Sequence, residues 1–325
     1  TTQPPPRPTR RVCREPHLTR GAKTSSSPQP TDLPAEIYAH WINELSAVPE
    51  ASTALRRLIS DDWQRATAEP EDVTYQSTEI GGVPGILAKP LNADPTQMLL
   101  LFHGGGFALG SSASHRKLGG HLAKAIGAYC FIADFRRAPE AKFPAQIEDG
   151  VAMFRALIDQ GFRAEDITPV GDSAGANLAL STTFRLRADG GPAPDRVITM
   201  SPWLNMENDG ETIVTNDATD FLITREGLQG NIDRYIEGAT VPTDPWANPL
   251  YQDFTGFPRL YICAGDIESL FDDSLRLNRL AEDAGVDVTF SVGEGMQHVY
   301  PFLAGNHPRA DEEIRLIADW YRADR

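Results

Sequence analysis

A serine set between small residues is the feature of this chain with the clearest chemical meaning. Residues 171–175 read Gly-Asp-Ser-Ala-Gly, which fits the Gly-x-Ser-x-Gly pattern of a serine on a sharp turn from a strand into a helix. An apolar run at 167–170 precedes the turn and helix-forming residues follow it, so both neighbouring elements are predicted. We therefore expect Ser173 to project its hydroxyl outward as a nucleophile. Side chains at Gly171 or Gly175 would collide with the adjoining strand and helix.

A run of glycines about seventy residues earlier could supply hydrogen-bond donors to the same chemistry. Residues 103–107 read His-Gly-Gly-Gly-Phe and follow a predicted strand. Acyl transfer needs N–H groups aimed at the oxygen that becomes negative in the transition state. We predict an oxyanion hole formed by the N–H groups of Gly104, Gly105 and Ala174. A phosphate loop is the competing interpretation, but this loop lacks both a Gly-Lys-Ser/Thr continuation and Gly-x-Gly-x-x-Gly spacing.

A serine hydroxyl is a poor nucleophile without a base, so one of the seven histidines should serve it. His298 has the best context, because it ends the sequence Gly-Met-Gln-His directly after the alternating run 286–292, the predicted final strand. His103 belongs to the glycine loop and is expected to order that loop. The other five are expected to be surface or helix histidines: His17, His40, His115, His121 and His307.

Four carboxylates follow the predicted strand 259–264 and are candidates for the group that orients the base. These are Asp266, Glu268, Asp272 and Asp273. Asp272 and Asp273 are expected to open the following helix, where the helix dipole stabilises negative charge. Position along the chain leaves Asp266 and Glu268 both open as the catalytic acid.

Together these motifs resemble the hormone-sensitive-lipase-like (bacterial type IV) carboxylesterase family of the α/β-hydrolase fold, in particular its acetylhydrolase and monoterpene lactone hydrolase subgroup. The resemblance covers about residues 70–325. It rests on residues 103–107, Asp-Phe-Arg-Arg-Ala-Pro-Glu at 134–140, residues 171–175, and Gly-Met-Gln-His at 295–298. It implies a serine carboxylic-ester hydrolase for short-chain acyl esters or lactones that needs neither a metal nor an organic cofactor.

The resemblance also implies a catalytic triad of Ser173, Glu268 and His298. The family pattern near the acid is commonly Asp-Pro-Leu-x-Asp, leading into a helix that ends in Ala-Gly. Counting back without gaps from residues 284–285 favours Glu268 over Asp266 at the acid position. The chain order serine, acid, histidine is the order found in α/β hydrolases.

Two further polar features of these motifs are expected to be structural. Within the 134–140 motif, Arg136 and Glu140 are predicted to pair and to order loops near the glycine loop. Asp172, next to the nucleophile, is predicted to accept hydrogen bonds that fix its own loop.

The wider pattern predicts an α/β-hydrolase fold with a mostly parallel central sheet of about eight strands, helices on both faces and a helical cap. Strands alternate with helices from residue 98 onward, which indicates a parallel sheet whose ligand site lies beyond the carboxyl ends of the strands. Gly-Gly at 81–82 predicts a hairpin. The predicted strands are 73–80, 83–89, 98–102, 129–134, 167–171, 196–201, 259–264 and 286–292. The predicted helices are 33–46, 52–65, 114–126, 143–160, 174–187, 272–284 and 308–323.

We expect three regions along the chain. Residues 1–30 form a flexible, basic, proline-rich arm, residues 31–70 form helices that contribute to the cap, and residues 71–325 form the catalytic domain. A cap insertion is expected at about 204–255, with helices supplied by residues 220–239. The predicted pocket side chains are Phe107, Leu109, Trp203, Leu222 and Phe302, while Phe221 and Tyr235 are expected to face either the pocket or the core of the cap.

Composition restricts the partners and the location of the protein. The net charge of −15 over 325 residues argues against a nucleic-acid partner and favours colloidal solubility, while the small-molecule ester or lactone partner is what the family resemblance implies. No run of residues approaches the ~20 apolar positions of a membrane span. Three cysteines without metal-ligand spacing weakly favour a reducing, cytoplasmic location. A homodimer is compatible with the sequence, which does not decide the oligomeric state.

Two other functions compete with ester hydrolysis. A non-catalytic receptor on the same scaffold, as in the gibberellin receptors that resemble this family, would lack the base histidine, which this chain has at His298. Cleavage of amides would use the same residues and stays open. If His298 titrates near the unperturbed pKa of about 6.5, activity should fall below about pH 6.

Overall fold

The structure is a computed structural model that describes residues 33–48, 50–236 and 241–323. The predicted basic arm at 1–30, with Cys13, lies outside these residues. Within the described ranges, eight strands form one sheet in the order β1-β2-β4-β3-β5-β6-β7-β8. The first two pairings, β1 with β2 and β2 with β4, are antiparallel, and the others are parallel. The prediction of a mostly parallel sheet of about eight strands is therefore confirmed.

The strands lie close to the predicted ranges. Each predicted strand is present, and the third starts four residues earlier than predicted. The strands are β1 (Val73–Ile80), β2 (Val83–Pro90), β3 (Asp94–Phe102), β4 (Ala128–Ala133), β5 (Ile167–Asp172), β6 (Arg196–Met200), β7 (Arg259–Gly265) and β8 (Val288–Gly293).

The helices also follow the predicted order. The predicted second helix is divided, because its last residues form a 3-10 turn at Asp62–Ala66. The helices are α1 (Leu33–Ser46), α2 (Thr53–Asp61), α3 (Ser112–Ile126), α4 (Ala145–Asp159), α5 (Ala174–Ala188), α6 (Thr212–Thr215), α7 (Arg225–Tyr235), α8 (Phe271–Asp283) and α9 (Pro308–Arg322).

Helices cover both faces of the sheet, and strand β3 shows why its sequence is a continuous apolar run. Residues 99–102 are fully buried. Successive side chains on a strand point to opposite faces. Leu100 and Phe102 join a core that includes residues of α4 and α5, whereas Leu99 and Leu101 pack in a core with residues of α3 and α9. Because both of its faces are covered, such a strand reads as a nearly continuous apolar run.

The segment between β6 and β7, where the cap insertion is predicted, interrupts the alternation of strands and helices. It carries α6, α7 and a 3-10 turn at Pro249–Tyr251. The ring of Tyr235 at the end of α7 stacks on Phe107 with the centroids 3.8 Å apart and the planes 5° apart. Asp273 accepts hydrogen bonds from the N–H groups of Leu204 (2.6 Å) and Asn205 (2.9 Å), which fixes the start of this segment to α8.

The predicted pair between Arg136 and Glu140 is wrong. Arg136 instead binds the carboxylates of Asp149 (2.8 Å) and Glu148 (3.1 Å) on α4. Glu140 binds Arg57 on α2 at 2.7 Å. The two side chains therefore bind different helices. Arg136 pairs with carboxylates on α4, and Glu140 pairs with a guanidinium on α2.

Arg57 is the residue that carries the expected loop-ordering role. Its guanidinium donates to the carbonyl oxygens of Ala108 and Ala138 at 2.8 Å each. It thereby joins α2 to the segment after the glycine loop.

Membrane-spanning helices and clusters of metal-ligating side chains are both absent from the described ranges. No helix there combines the length and the apolar character needed to cross a bilayer. No group of three or more His, Cys, Asp or Glu side chains among the same residues is placed to hold a metal ion.

Candidate active site

Ser173 lies at the strained turn that its sequence pattern predicts. It follows the last residue of β5, precedes the first of α5, and has φ 52° and ψ −120°. Non-glycine residues rarely adopt positive φ, and such strain is found mostly at functional sites. A Cβ at Gly171 would meet the backbone of Gly175, and one at Gly175 would meet the backbone oxygen of Phe102. The predicted collisions with the neighbouring helix and strand are confirmed.

Backbone hydrogen bonds fix the position of the serine. The Ser173 N–H donates to the carbonyl oxygen of Met200 at 3.0 Å, and its carbonyl accepts from the N–H of Trp203 at 3.1 Å. Both partners belong to β6 or the residues just after it. The turn is therefore held by the neighbouring strand as well as by its own sequence.

The N–H groups that the glycine loop leaves free are not the ones predicted. The Gly104 N–H donates to Asp172 Oδ1 at 3.0 Å, so the protein itself already uses this donor. Among the described residues, the N–H groups of Gly105, Gly106 and Ala174 have no acceptor. Gly105 and Gly106 border the cavity above Ser173. Gly104 is therefore a poor oxyanion donor, and Gly106 takes its place as a candidate.

Asp172 accepts hydrogen bonds as predicted, and it holds the glycine loop together with a histidine that the sequence did not single out. Nε2 of His115, in the first turn of α3, lies 3.2 Å from the Asp172 carboxylate, and its Nδ1 lies 2.8 Å from the Ser114 hydroxyl. His115 is 1% exposed, so it is a buried helix histidine. The only sequence signal for it was its place just after the helix-capping serine Ser111.

His103 orders the glycine loop, in agreement with the prediction. Its Nδ1 lies 2.8 Å from the carbonyl oxygen of Gly104, and its ring stacks on Phe135 with centroids 4.3 Å apart. Burial is the main cause that lowers the pKa of His103 well below its ordinary value. A neutral, fully buried ring is suited to hold a loop rather than to carry a proton.

His298 and Glu268 lie together in the interior. Nδ1 of His298 is 3.5 Å from Oε1 of Glu268, an ion-pair distance slightly longer than a good hydrogen bond. Such contacts are often long in proteins without bound substrate. The carbonyl oxygen of His298 accepts from the Tyr38 hydroxyl at 2.6 Å, so α1 also holds the histidine.

The charges around His298 change its protonation. Burial is the largest single influence on the pKa of His298 and lowers it. The carboxylates of Glu268, Asp220 and Asp172 together outweigh that effect, so the pKa lies above its ordinary value of 6.5. The imidazolium is therefore stabilised where Glu268 faces Nδ1.

Ser201 is the residue that connects the acid to the histidine loop, and the sequence analysis missed it. Its hydroxyl donates to Glu268 Oε2 at 2.7 Å and accepts from the N–H of Val299 at 2.9 Å. Ser201 is fully buried and has φ 46°. Glu268 Oε2 also accepts from the N–H of Gly265 at 3.1 Å. No local pattern marks Ser201, because both partners lie more than sixty residues away.

Asp266 occupies a different place from Glu268. Its Oδ1 accepts from the N–H of Gly295 at 2.6 Å, at an exposed turn before the histidine. Asp266 thus ties the strand β7 loop to the segment that leads to His298, whereas Glu268 faces the ring itself.

A cavity of about 440 Å³ lies over the carboxyl ends of the strands. Ser173 and His298 both border it. Of the predicted pocket side chains, Leu109, Trp203, Leu222 and Phe302 border it as well. Phe107 is not among the lining residues, because its ring is taken up by Tyr235.

Much of the lining comes from residues that the sequence analysis did not single out. α1 and α2 contribute Tyr38, Trp41, Ile42, Leu45, Thr53 and Arg56, and α7 contributes Gly227, Leu228, Asn231 and Arg234. Phe221 is exposed, and Tyr235 is buried between Phe107 and Phe143. The sequence predicted helices at α1, α2 and α7, but it did not predict which face of each helix lines the cavity.

Comparisons with known proteins show which family the chain belongs to. The profile of the α/β hydrolase fold family matches residues 99–302. The chain is 36% identical to an acetyl-hydrolase of Streptomyces hygroscopicus over 280 residues, covering 81% of this chain and 92% of that protein. It is 34% identical to an esterase of Acinetobacter venetianus, covering 83% of this chain and 88% of that one.

A solved structure is also similar. An esterase from the bacterial hormone-sensitive lipase family superimposes with a TM-score of 0.84 at 33% identity, covering 92% of this chain and 99% of that chain. The chain therefore belongs to the α/β-hydrolase fold family, in its hormone-sensitive-lipase-like carboxylesterase branch. It is an ester hydrolase of that class, and the resemblance seen in its motifs is confirmed. Membership of a lactone hydrolase subgroup stays a prediction.

Proposed function

We propose that this protein hydrolyses carboxylic esters with Ser173 as nucleophile, His298 as general base and Glu268 as the acid that orients the base. One observation carries the proposal: the strained serine and the histidine border one cavity, and the histidine has a buried glutamate behind it. Asp266, the competing acid, binds a backbone N–H near the surface instead.

The first half of the reaction forms an acyl-enzyme. His298 Nε2 removes the proton of the Ser173 hydroxyl while Oγ attacks the ester carbonyl carbon. Glu268 holds the ring in the tautomer with a proton on Nδ1 and stabilises the imidazolium. The tetrahedral intermediate then breaks its bond to the alkoxide, which leaves as an alcohol with the proton from Nε2.

The second half of the reaction releases the acid. His298 removes a proton from water, whose oxygen attacks the acyl carbon. The bond to Ser173 Oγ breaks, and the serine recovers its proton from the imidazolium. In both halves the developing oxyanion accepts hydrogen bonds from Gly105, Gly106 and Ala174, where each donor is worth about 2.7–4 kcal/mol in the transition state.

We propose short acyl esters, from acetyl to about hexanoyl, or lactones as substrates. A cavity of about 440 Å³ is near the lower end of the range for small-molecule sites. Its walls include the indoles of Trp41, Trp63 and Trp203, which limit the length of an acyl chain. The similar protein from Streptomyces hygroscopicus is called an acetyl-hydrolase, which favours a small acyl group.

Turnover of p-nitrophenyl acetate by Ser173→Ala and by the parent protein tests the nucleophile. The variant should lose at least about a thousandfold in kcat while its melting temperature stays within a few degrees. Equal rates would remove Ser173 from the mechanism. A panel of p-nitrophenyl esters from acetate to decanoate, with lactones of five to seven atoms and p-nitroacetanilide, would then decide between acyl esters, cyclic esters and amides.

A further inference from the structure

The charged side chains that line the cavity differ in their balance from the acidic chain as a whole. The chain carries a net charge of −15, yet the charged groups that border the cavity, histidines aside, are Arg56, Arg234 and Asp172. The carboxylate of Asp172 is engaged by the Gly104 N–H and by His115. Among the described residues that line the cavity, guanidinium groups therefore outnumber carboxylates by two to one.

One face of α7 contributes two polar side chains to this lining. Gly227, Asn231 and Arg234 border the cavity at the spacing i, i+4 and i+7, which places them on one helix face. Arg234 is exposed and marks the outer end of the cavity, and Asn231 is half-buried beneath it.

Asn231 and Arg234 together present only donors to the cavity. The guanidinium of Arg234 donates to Asn231 Oδ1 at 2.7 Å. Because guanidinium has no acceptor, this contact also fixes which end of the amide is oxygen. The amide oxygen of Asn231 thus already accepts one hydrogen bond, while its two N–H groups remain for a ligand.

The amide of Asn231 also reaches the glycine loop. Its Nδ2 occupies the place that a Cβ on Gly106 would need, and Gly106 itself has φ 62°. A line of donors therefore leads from the proposed oxyanion hole at Gly106, through Asn231, to the guanidinium of Arg234.

Arg234 differs from most arginines of the described ranges in its partner. Arg57 and Arg136, for example, each bind a carboxylate within 3 Å. Among the described residues, Arg234 has no carboxylate partner, and its hydrogen bond is to a neutral amide. A planar guanidinium with unused N–H groups matches a carboxylate in a two-point contact.

We infer that the Asn231–Arg234 pair recognises a carboxylate on the substrate, so that the preferred esters are half-esters of short dicarboxylic acids. This inference rests on the proposed function, since it needs the reacting carbonyl at Ser173 and Gly106. Monoethyl glutarate is the probe, because it carries an ester carbonyl and a free carboxylate on one short chain.

The test compares monoethyl glutarate with ethyl pentanoate, which has the same five-carbon acyl chain and no charge. The kcat/KM ratio of the charged to the neutral ester is measured in a pH-stat at low ionic strength. Arg234→Gln should lower this ratio about tenfold, mainly through a higher KM for the charged ester, because a charge-assisted hydrogen bond is lost. Arg279→Gln removes one positive charge from an exposed site on α8 and is the matched control, for which the ratio should not change.

Asn231→Asp provides a second variant that keeps the shape of the side chain. The new carboxylate would pair with Arg234 in place of the substrate, so the ratio should again fall about tenfold. A ratio within twofold of the parent in both variants would overturn the inference and leave Arg234 as a residue that stabilises the C-terminal end of α7. An equal fall in Arg279→Gln would overturn it too, because long-range charge alone would then explain the effect.

The outcome for the neutral ester separates this inference from the proposed function. If the parent hydrolyses ethyl pentanoate and Ser173→Ala does not, the proposed function holds whatever the ratio does. If the parent hydrolyses neither ester nor p-nitrophenyl acetate, the proposed function itself fails.

Discussion

The nucleophile side of the site and the acid–histidine side are built in different ways. On the nucleophile side, close backbone packing around Gly171 and Gly175 holds the turn, and the buried Asp172 carboxylate holds the glycine loop through the Gly104 N–H. On the other side, Glu268 and His298 are held by buried side-chain hydrogen bonds from Ser201 and Tyr38. The backbone packing can be recognised from short sequence motifs, whereas the hydrogen bonds that hold Glu268 and His298 join residues far apart in the chain.

The acid–histidine side extends into a second buried network. Glu313 on α9 is fully buried and accepts from the hydroxyls of Tyr261 (2.7 Å), Ser291 (2.8 Å) and Tyr300 (2.5 Å). Tyr300 lies two residues after His298. The turn that carries the nucleophile is therefore fixed by steric fit between backbone segments, whereas the base is fixed by polar contacts that each need a partner.

Replacement of the acid should have the largest effect and tests the polar side directly. Glu268→Gln keeps the shape of the side chain but no longer stabilises the imidazolium, so kcat should fall on the order of 10⁴-fold. Asp266→Asn is the matched control and should lose less than about tenfold, since its contact is to a backbone N–H at an exposed turn. If only the Asp266 variant loses its activity toward p-nitrophenyl acetate, the assignment of the acid is wrong.

A methyl group on the nucleophile side tests the steric account. Gly175→Ala would press a Cβ into the backbone of Phe102 and should lower the free energy of unfolding by about 3 kcal/mol. Gly191→Ala meets nothing within 4 Å and should change it by less than about 0.5 kcal/mol. Urea denaturation measures both. Equal stability of the two variants would refute the idea that packing holds this side.

Removal of one hydroxyl tests whether Ser201 positions the acid–histidine side. Ser201→Ala loses the hydrogen bonds to Glu268 and to the Val299 N–H and should lower kcat roughly tenfold to a hundredfold. Ser274→Ala deletes another buried hydroxyl, one without a partner among the described residues, and should leave kcat unchanged. A kcat for Ser201→Ala equal to that of Ser274→Ala would show that the bridge is dispensable.

The pH dependence should show the smallest effect. The base must be neutral to accept the serine proton, and the carboxylates around His298 raise its pKa above 6.5. On the acidic side, the pH at which kcat/KM reaches half of its maximum should therefore lie above 6.5. An unperturbed histidine would place this midpoint near 6.5, with activity falling below about pH 6. In Glu268→Gln the main raising charge is gone while burial still lowers the pKa, so the midpoint should move down. A midpoint below 6 in the parent would contradict the raised pKa.

Much of the molecule could be predicted from the sequence because the controlling physics is local. The sheet was readable from apolar runs such as 99–102, which are buried on both faces. The turn at Ser173 was readable because only small residues fit beside it. Position along the chain leaves Asp266 and Glu268 both open, and Glu268, which the family resemblance favours, is the one that lies beside His298.

By itself, then, the sequence determined the α/β fold, the strained serine and the glycine loop, because backbone sterics and hydrophobic periodicity act between near neighbours. Only the tertiary structure decided that the Gly104 N–H donates to Asp172, that Glu140 binds Arg57, and that Arg234 borders the cavity. Each of these depends on which of several polar groups comes within about 3 Å after the chain has folded. That choice is made by three-dimensional packing, and no short stretch of sequence contains it.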